Sequence, residues 1–86
     1  MRRWGDRKRV KRDARLLLAD FQQQADGNLI HAIAIDKSAA RVNVEDPGPA
    51  VALLKERRLI VGMEQGTRPT HVRLTPKGLR ANENAV

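Results

Sequence analysis

The chain has 86 residues, a formal charge of +7 and no cysteine. That size holds one domain with a modest core, burying about 60–65% of the surface its unfolded chain exposes. The absence of cysteine excludes disulfides and thiolate metal sites. The longest apolar run, residues 29–35 interrupted by His31, falls far short of the ~20 apolar residues of a membrane span. The basic N-terminus has no apolar signal-peptide core, so the expected location is the cytoplasm.

The charge is uneven. Residues 1–15 carry eight basic and two acidic side chains, whereas the rest carries nine basic and eight acidic. Residues 1–9 therefore read as a basic arm, and such an asymmetry favours a polyanionic partner, most often nucleic acid. Its plain alternative is a solvated arm that only aids solubility.

Asp6 is a candidate N-cap. From Val10 onward, Val10, Ala14, Leu17, Leu18, Phe21 and Ala25 form one apolar stripe at helical spacing. Gly27, with Asn28 beside it, is a natural stop. The expected first helix covers residues 7–26. Arg7, Lys8 and Arg9 in its first turn oppose the helix macrodipole, so either those residues fray or an anion offsets the penalty.

Residues 29–43 are ambiguous. Leu29, Ile30, Ile33 and Ala34 suit a helix, while Ile33 and Ile35 also suit a short strand. The reading adopted is a brief extended piece near Leu29 and Ile30, a second helix over 32–41, and a turn at Val42, Asn43 and Val44 whose valines plug the core. The third helix is better defined. A cap at Asn43 would put Pro49 inside the hydrogen-bond ladder, where it breaks a helix. A cap at Asp46 places Pro47 first and Pro49 third, where the amides are free anyway. The helix should therefore start at Pro47 and end near Arg58.

Residues 59–64 are apolar and strand-like, and Gly66 and Pro69 mark a turn. Over residues 70–75, Val72 and Leu74 alternate with His71, Arg73 and Thr75, the period of a half-buried strand. Thr75 and Pro76 then offer an N-cap and a first-turn proline. Residues 82–86 lack periodicity and should fray.

A helix closing on Leu59-Ile60, followed by a hairpin that ends Val72-Arg73-Leu74-Thr75-Pro76-Lys77-Gly78, resembles the wing of MarR-like and PadR-like winged-helix proteins. The likeness covers residues 29–80 and is a superfamily signal. It implies an α+β winged helix-turn-helix with a three-helix core and a β-hairpin wing, in a single domain over residues 1–86.

No catalytic grouping is visible, and no enzyme activity is expected. His31 and His71 lack metal-ligand companions at a useful spacing. His31, inside an apolar run, reads as a core-edge histidine, and His71 as an exposed wing residue that is either solvated or on a phosphate. Ser38 has no base in any familiar pattern, and the glycines form no phosphate loop. No cofactor, metal or small-molecule ligand is implied.

Trp4 and Phe21 are the only aromatics, and Phe21 lies on the core stripe, so a stacking platform for single strands is excluded. Duplex recognition needs none: it takes a helix in the major groove and cations on flanking phosphates. The expected function is duplex DNA binding, as a small transcriptional regulator or DNA-accessory factor. The candidate nucleic-acid-binding residues are Arg2, Arg3, Arg7, Lys8, Lys11, Arg12, Arg15, Lys55, Arg57, Arg68, His71, Arg73 and Lys77. Arg68 at the wing tip reads equally as an ordinary turn arginine, and Lys55 as a partner of its own helix dipole. Trp4 either covers one end of the core or marks a partner surface.

The third helix departs from a base-reading one. It opens Glu45-Asp46-Pro47-Gly48-Pro49-Ala50, two acids followed by residues that make few hydrogen bonds. This favours the alternative: a winged-helix protein-interaction module, or an RNA-associated basic protein, with a protein partner or a second copy as ligand.

Overall fold

The computed structural model describes the backbone of residues 4–65 and 68–86, and the side chains of residues 7–62, 70–82 and 84–86. The chain is α+β. Its elements run α1 (Trp4–Ala25), β1 (Ile33–Ala34), α2 (Ile35–Arg41), α3 (Pro47–Glu56), β2 (Ile60–Gln65), β3 (Arg68–Leu74), α4 (Pro76–Arg80) and a final 3-10 turn (Glu83–Ala85). The sheet is antiparallel with order β1-β3-β2.

Helix α1 buries the predicted stripe. Ala14, Leu17, Leu18, Phe21 and Ala25 are in the core, and Val10 is half-buried at the rim. The helix starts at Trp4, so Asp6 lies within it and is not its cap. Residues 4–9 are thus helix rather than a separate arm. The helix ends where Asp26 and Gly27 take left-handed backbone, at φ 49° and 82°.

The next segment corrects two expectations. Asn28 Oδ1 accepts from the Ile30 amide (3.0 Å), a local turn that replaces the extended piece expected at Leu29 and Ile30. Ile30 and His31 are exposed, so His31 is no core-edge histidine. The strand comes later, where Ile33 pairs with Val72 and Ala34 with His71. That ladder holds residues 33 and 34 extended and delays α2 to Ile35.

Helices α2 and α3 end alike. The Asn43 and Val44 amides donate to the carbonyls of Ala40 (3.4 Å) and Ala39 (2.8 Å), with Asn43 at φ 60°. The Arg58 and Leu59 amides donate to those of Lys55 (2.9 Å) and Leu54 (3.0 Å), with Arg58 at φ 62°. Both are Schellman closures, which return the chain to the core through an apolar residue. Val44 and Leu59 are those residues and both are buried, while Val42 is half-buried. Helix α3 begins as expected, with the Asp46 side chain accepting from the Gly48 amide (3.3 Å) and proline in the first turn.

In the hairpin, Ile60 faces Leu74, Val61 faces Arg73 and Gly62 faces Val72, with an irregularity between Met63 and Glu64. Val72 and Leu74 are buried with Ile33 and Ile60, so the predicted alternation holds. Pro69 lies in β3 rather than in the turn. It sits beyond the end of β1, where β3 has a neighbour on one side only, and a strand tolerates proline there. Gly66 lies outside the described residues.

A polar cluster ties α1 to α2. Asp20, almost wholly buried, accepts from Arg41 Nη1 (3.3 Å) and from Gln24, which also donates to the fully buried Ser38 (2.7 Å). The C-terminal segment does not fray. Asn82 Oδ1 accepts from the Asn84 amide (2.9 Å), and Val86 joins the core. An apolar terminal residue with a place to bury itself is enough to order such a tail.

Candidate nucleic-acid interface

With 3.6 residues per turn, the side of α1 opposite its core stripe carries Lys8, Arg12, Arg15, Leu16, Ala19 and Gln23. All are exposed, as are Arg7 and Arg9, while Lys11 is half-buried. The basic side chains fill the first half of that side; alanine and glutamine take over in the second. Arg2 and Arg3 lie outside the described residues, as does the side chain of Trp4.

The two flanks of this basic surface differ. On one, Arg9 and Arg12 share a cleft with Asp13, Asn43, Glu45 and Asp46, at the start of α3. Arg12 also pairs with the nearly buried Asp13 (3.4 Å). The acids that open α3 therefore lie beside arginines of α1. On the other flank, Arg12 and Arg15 share a cleft with Leu16, Gln22, Ala81 and Asn82. Gln22, in the lining of this cleft, donates from Nε2 to the carbonyls of Gly78 (2.8 Å) and Ala81 (2.7 Å).

Those two bonds fasten α4 to α1. At its other end α4 is fastened to the close of α3. The Thr75 hydroxyl donates to the Arg58 carbonyl (2.7 Å) and accepts from the Gly78 amide (2.9 Å), and the Thr75 amide donates to the Leu59 carbonyl (3.1 Å). Gly78 packs so tightly on Leu59 that a Cβ there would overlap the Leu59 carbonyl oxygen. Lys77 and Arg80, three apart on α4, are both exposed, as are Arg57 and Arg58.

The wing residues stand apart. Val72 and Leu74 face the core, so His71 and Arg73 lie on the outer face of the sheet, next to Ala34 and the half-exposed Val61. His71 is exposed, with Nδ1 3.0 Å from the Thr70 hydroxyl, and Arg73 is half-buried. The Arg68 side chain lies outside the described residues.

The outward face of α3 carries Gly48, Pro49, Ala52, Lys55 and Glu56. Gly48, Val51, Ala52, Lys55 and Glu56 border a shallow groove. The candidate residues with described side chains are thus split among four surfaces: the α1 face, the α3–α4 junction with Arg57 and Lys77, the outward face of α3 with Lys55, and the sheet. Arg80, Arg58 and Arg9 share the first two surfaces and are absent from the sequence-derived set. For Arg80 the available signal is its place three residues after Lys77 in a helix capped by Thr75. Nothing local marks Gln22, which joins the pieces.

Comparison with family models, with curated proteins and with solved structures finds no match to this chain. Among the described residues no group of three or more histidines and carboxylates is placed to hold a metal ion. None of their helices is long and apolar enough to cross a membrane.

Proposed function

We propose that this chain is a winged helix-turn-helix protein that binds duplex DNA through the phosphate backbone, as a small regulator or DNA-accessory factor. The observation that carries this reading is the row of exposed cations on one side of a long helix, Lys8, Arg12 and Arg15, with Arg9 at its edge. A helix presents such a row at fixed spacing, and each phosphate it neutralises releases condensed counterions. Support for the winged-helix part of the reading comes from the order helix, short strand, two helices and hairpin, which is compatible with the MarR-like and PadR-like resemblance. Base-specific readout is not part of the proposal. The outward face of α3 offers glycine, proline and alanine where direct readout needs paired donors and acceptors.

A gel-shift assay with two unrelated DNA duplexes and one RNA duplex tests this reading. Similar shifts with both DNAs support it. A strong preference for one DNA sequence contradicts the backbone mode, tighter binding to RNA favours an RNA-associated role, and no shift at low salt rejects nucleic acid altogether.

One observation favours the second reading, a protein-interaction module. The groove on α3 is lined by Gly48, Val51, Ala52, Lys55 and Glu56, small and apolar side chains with one charge of each sign, a surface better suited to a protein segment than to phosphate. A pull-down in which Ala52→Arg abolishes capture of a defined protein, while DNA binding stays intact, would support it.

A further inference from the structure

The winged-helix arrangement leads one to expect DNA along α3. We infer instead that the duplex lies across the α1–α4 side of the molecule, its phosphates running from Lys8, Arg12 and Arg15 on α1 to Lys77, Arg80, Arg57 and Arg58. This rests on the DNA reading above and specifies where the duplex sits.

The first reason is that α3 is poorly equipped to receive an anion. A helix N-terminus attracts phosphate through amides that have no partner within the helix. Here Pro47 and Pro49 have no amide hydrogen, and the Gly48 amide is taken by the Asp46 carboxylate at 3.3 Å. Ala50 is buried. The exposed charges along this helix and its approach are Glu45, Asp46, Lys55 and Glu56, a net negative set that repels phosphate.

The second reason is that α4 is built into place between the two cationic segments. Gln22 clasps its C-terminal end to α1, while Thr75 and Gly78 hold its N-terminal end to the close of α3. Lys77 and Arg80 therefore stand on a fixed bridge between Arg15 on one side and Arg57 and Arg58 on the other. Two acids lie close in sequence to these cations among the described side chains. Asp13 is nearly buried and paired with Arg12, and Glu56 adjoins Arg57.

The third reason is Arg58. It holds left-handed backbone at φ 62°, where glycine is the least costly residue and asparagine the next. A long exposed cation in that place costs stability and adds charge to this surface.

The test uses the intact chain and a short random-sequence DNA duplex, titrated over a salt series. One variant removes the bridge cations, R15Q/K77Q/R80Q; the comparison variant removes α3 and sheet cations, K55Q/R73Q. Melting curves check folding, and R15K/K77R/R80K keeps the charge while changing the side chains. The triple neutralisation should weaken binding at least tenfold and make the log–log salt slope shallower by about 2 to 3, at ~0.9 per phosphate. The charge-keeping variant should bind like the parent, and K55Q/R73Q should change little. A larger loss in K55Q/R73Q than in the triple variant, or an unchanged triple variant, overturns the α1–α4 placement while leaving DNA binding intact. A parent chain that binds no duplex at low salt overturns the DNA reading as well.

Discussion

Gly78 rests against the backbone of Leu59 with no room for a side chain, although the two are nineteen positions apart in sequence. A Cβ at position 78 meets the Leu59 carbonyl, and that carbonyl also accepts from the Thr75 amide (3.1 Å), so it has little freedom to withdraw. Gly78→Ala should therefore destabilise the protein by about 1–3 kcal/mol or more, as other overpacked sites do. Urea denaturation measures this, and an unchanged midpoint would show that α4 does not sit on Leu59.

Leu74 is 3% exposed and lies opposite Ile60 in the sheet. It belongs to one core with Leu18 and Leu54. Leu74→Ala should cost about 2–5 kcal/mol, in line with other buried leucines. The neighbouring Arg73→Gln, on the opposite face of the same strand, should cost far less. Equal losses for the two would contradict the strand register.

Several elements were legible in the sequence because a local rule decided them. Two prolines at 47 and 49 leave one helix start, and Asp46 caps it. Thr75 and Pro76 announce α4, whose cap bond to the Gly78 amide is present. The alternation of Val72 and Leu74 gives the buried face of β3. What was not legible depends on distant partners. The position of β1 is set by Val72, nearly forty residues downstream. Val86 orders the last turn only because the core has a place for it. The candidate surface was half legible: the basic residues are evident, but the clasp of Gln22 on Gly78 and Ala81 has no signal in sequence.

Arg58 closes α3 in left-handed backbone. Arg58→Gly should raise stability by about 1 kcal/mol, since the strain at positive φ is relieved by more than chain entropy costs. The same change removes one cation from the proposed DNA surface, so affinity should fall while the melting temperature rises. A variant that is both less stable and equally able to bind would remove Arg58 from the proposal.

Asp46 separates the roles of helix cap and electrostatic barrier. Asp46→Ala should cost about 0.5–2 kcal/mol through the lost cap, whereas Asp46→Asn should keep most of that stability. With the duplex on the α1–α4 side, neither change should alter the salt slope of binding. A steeper slope for Asp46→Asn would place phosphates near α3 after all.

The most direct measurement is a binding titration of the intact chain against a random-sequence DNA duplex at several salt concentrations. If about four of the exposed cations on α1, α4 and the end of α3 reach phosphates, the log–log slope is roughly −3.6, at ~0.9 per contact. Affinity then falls by about a hundredfold for a fourfold rise in salt. A slope near zero, or no complex even at the lowest salt, would contradict phosphate-driven DNA binding and leave the groove on α3 as the surface to pursue.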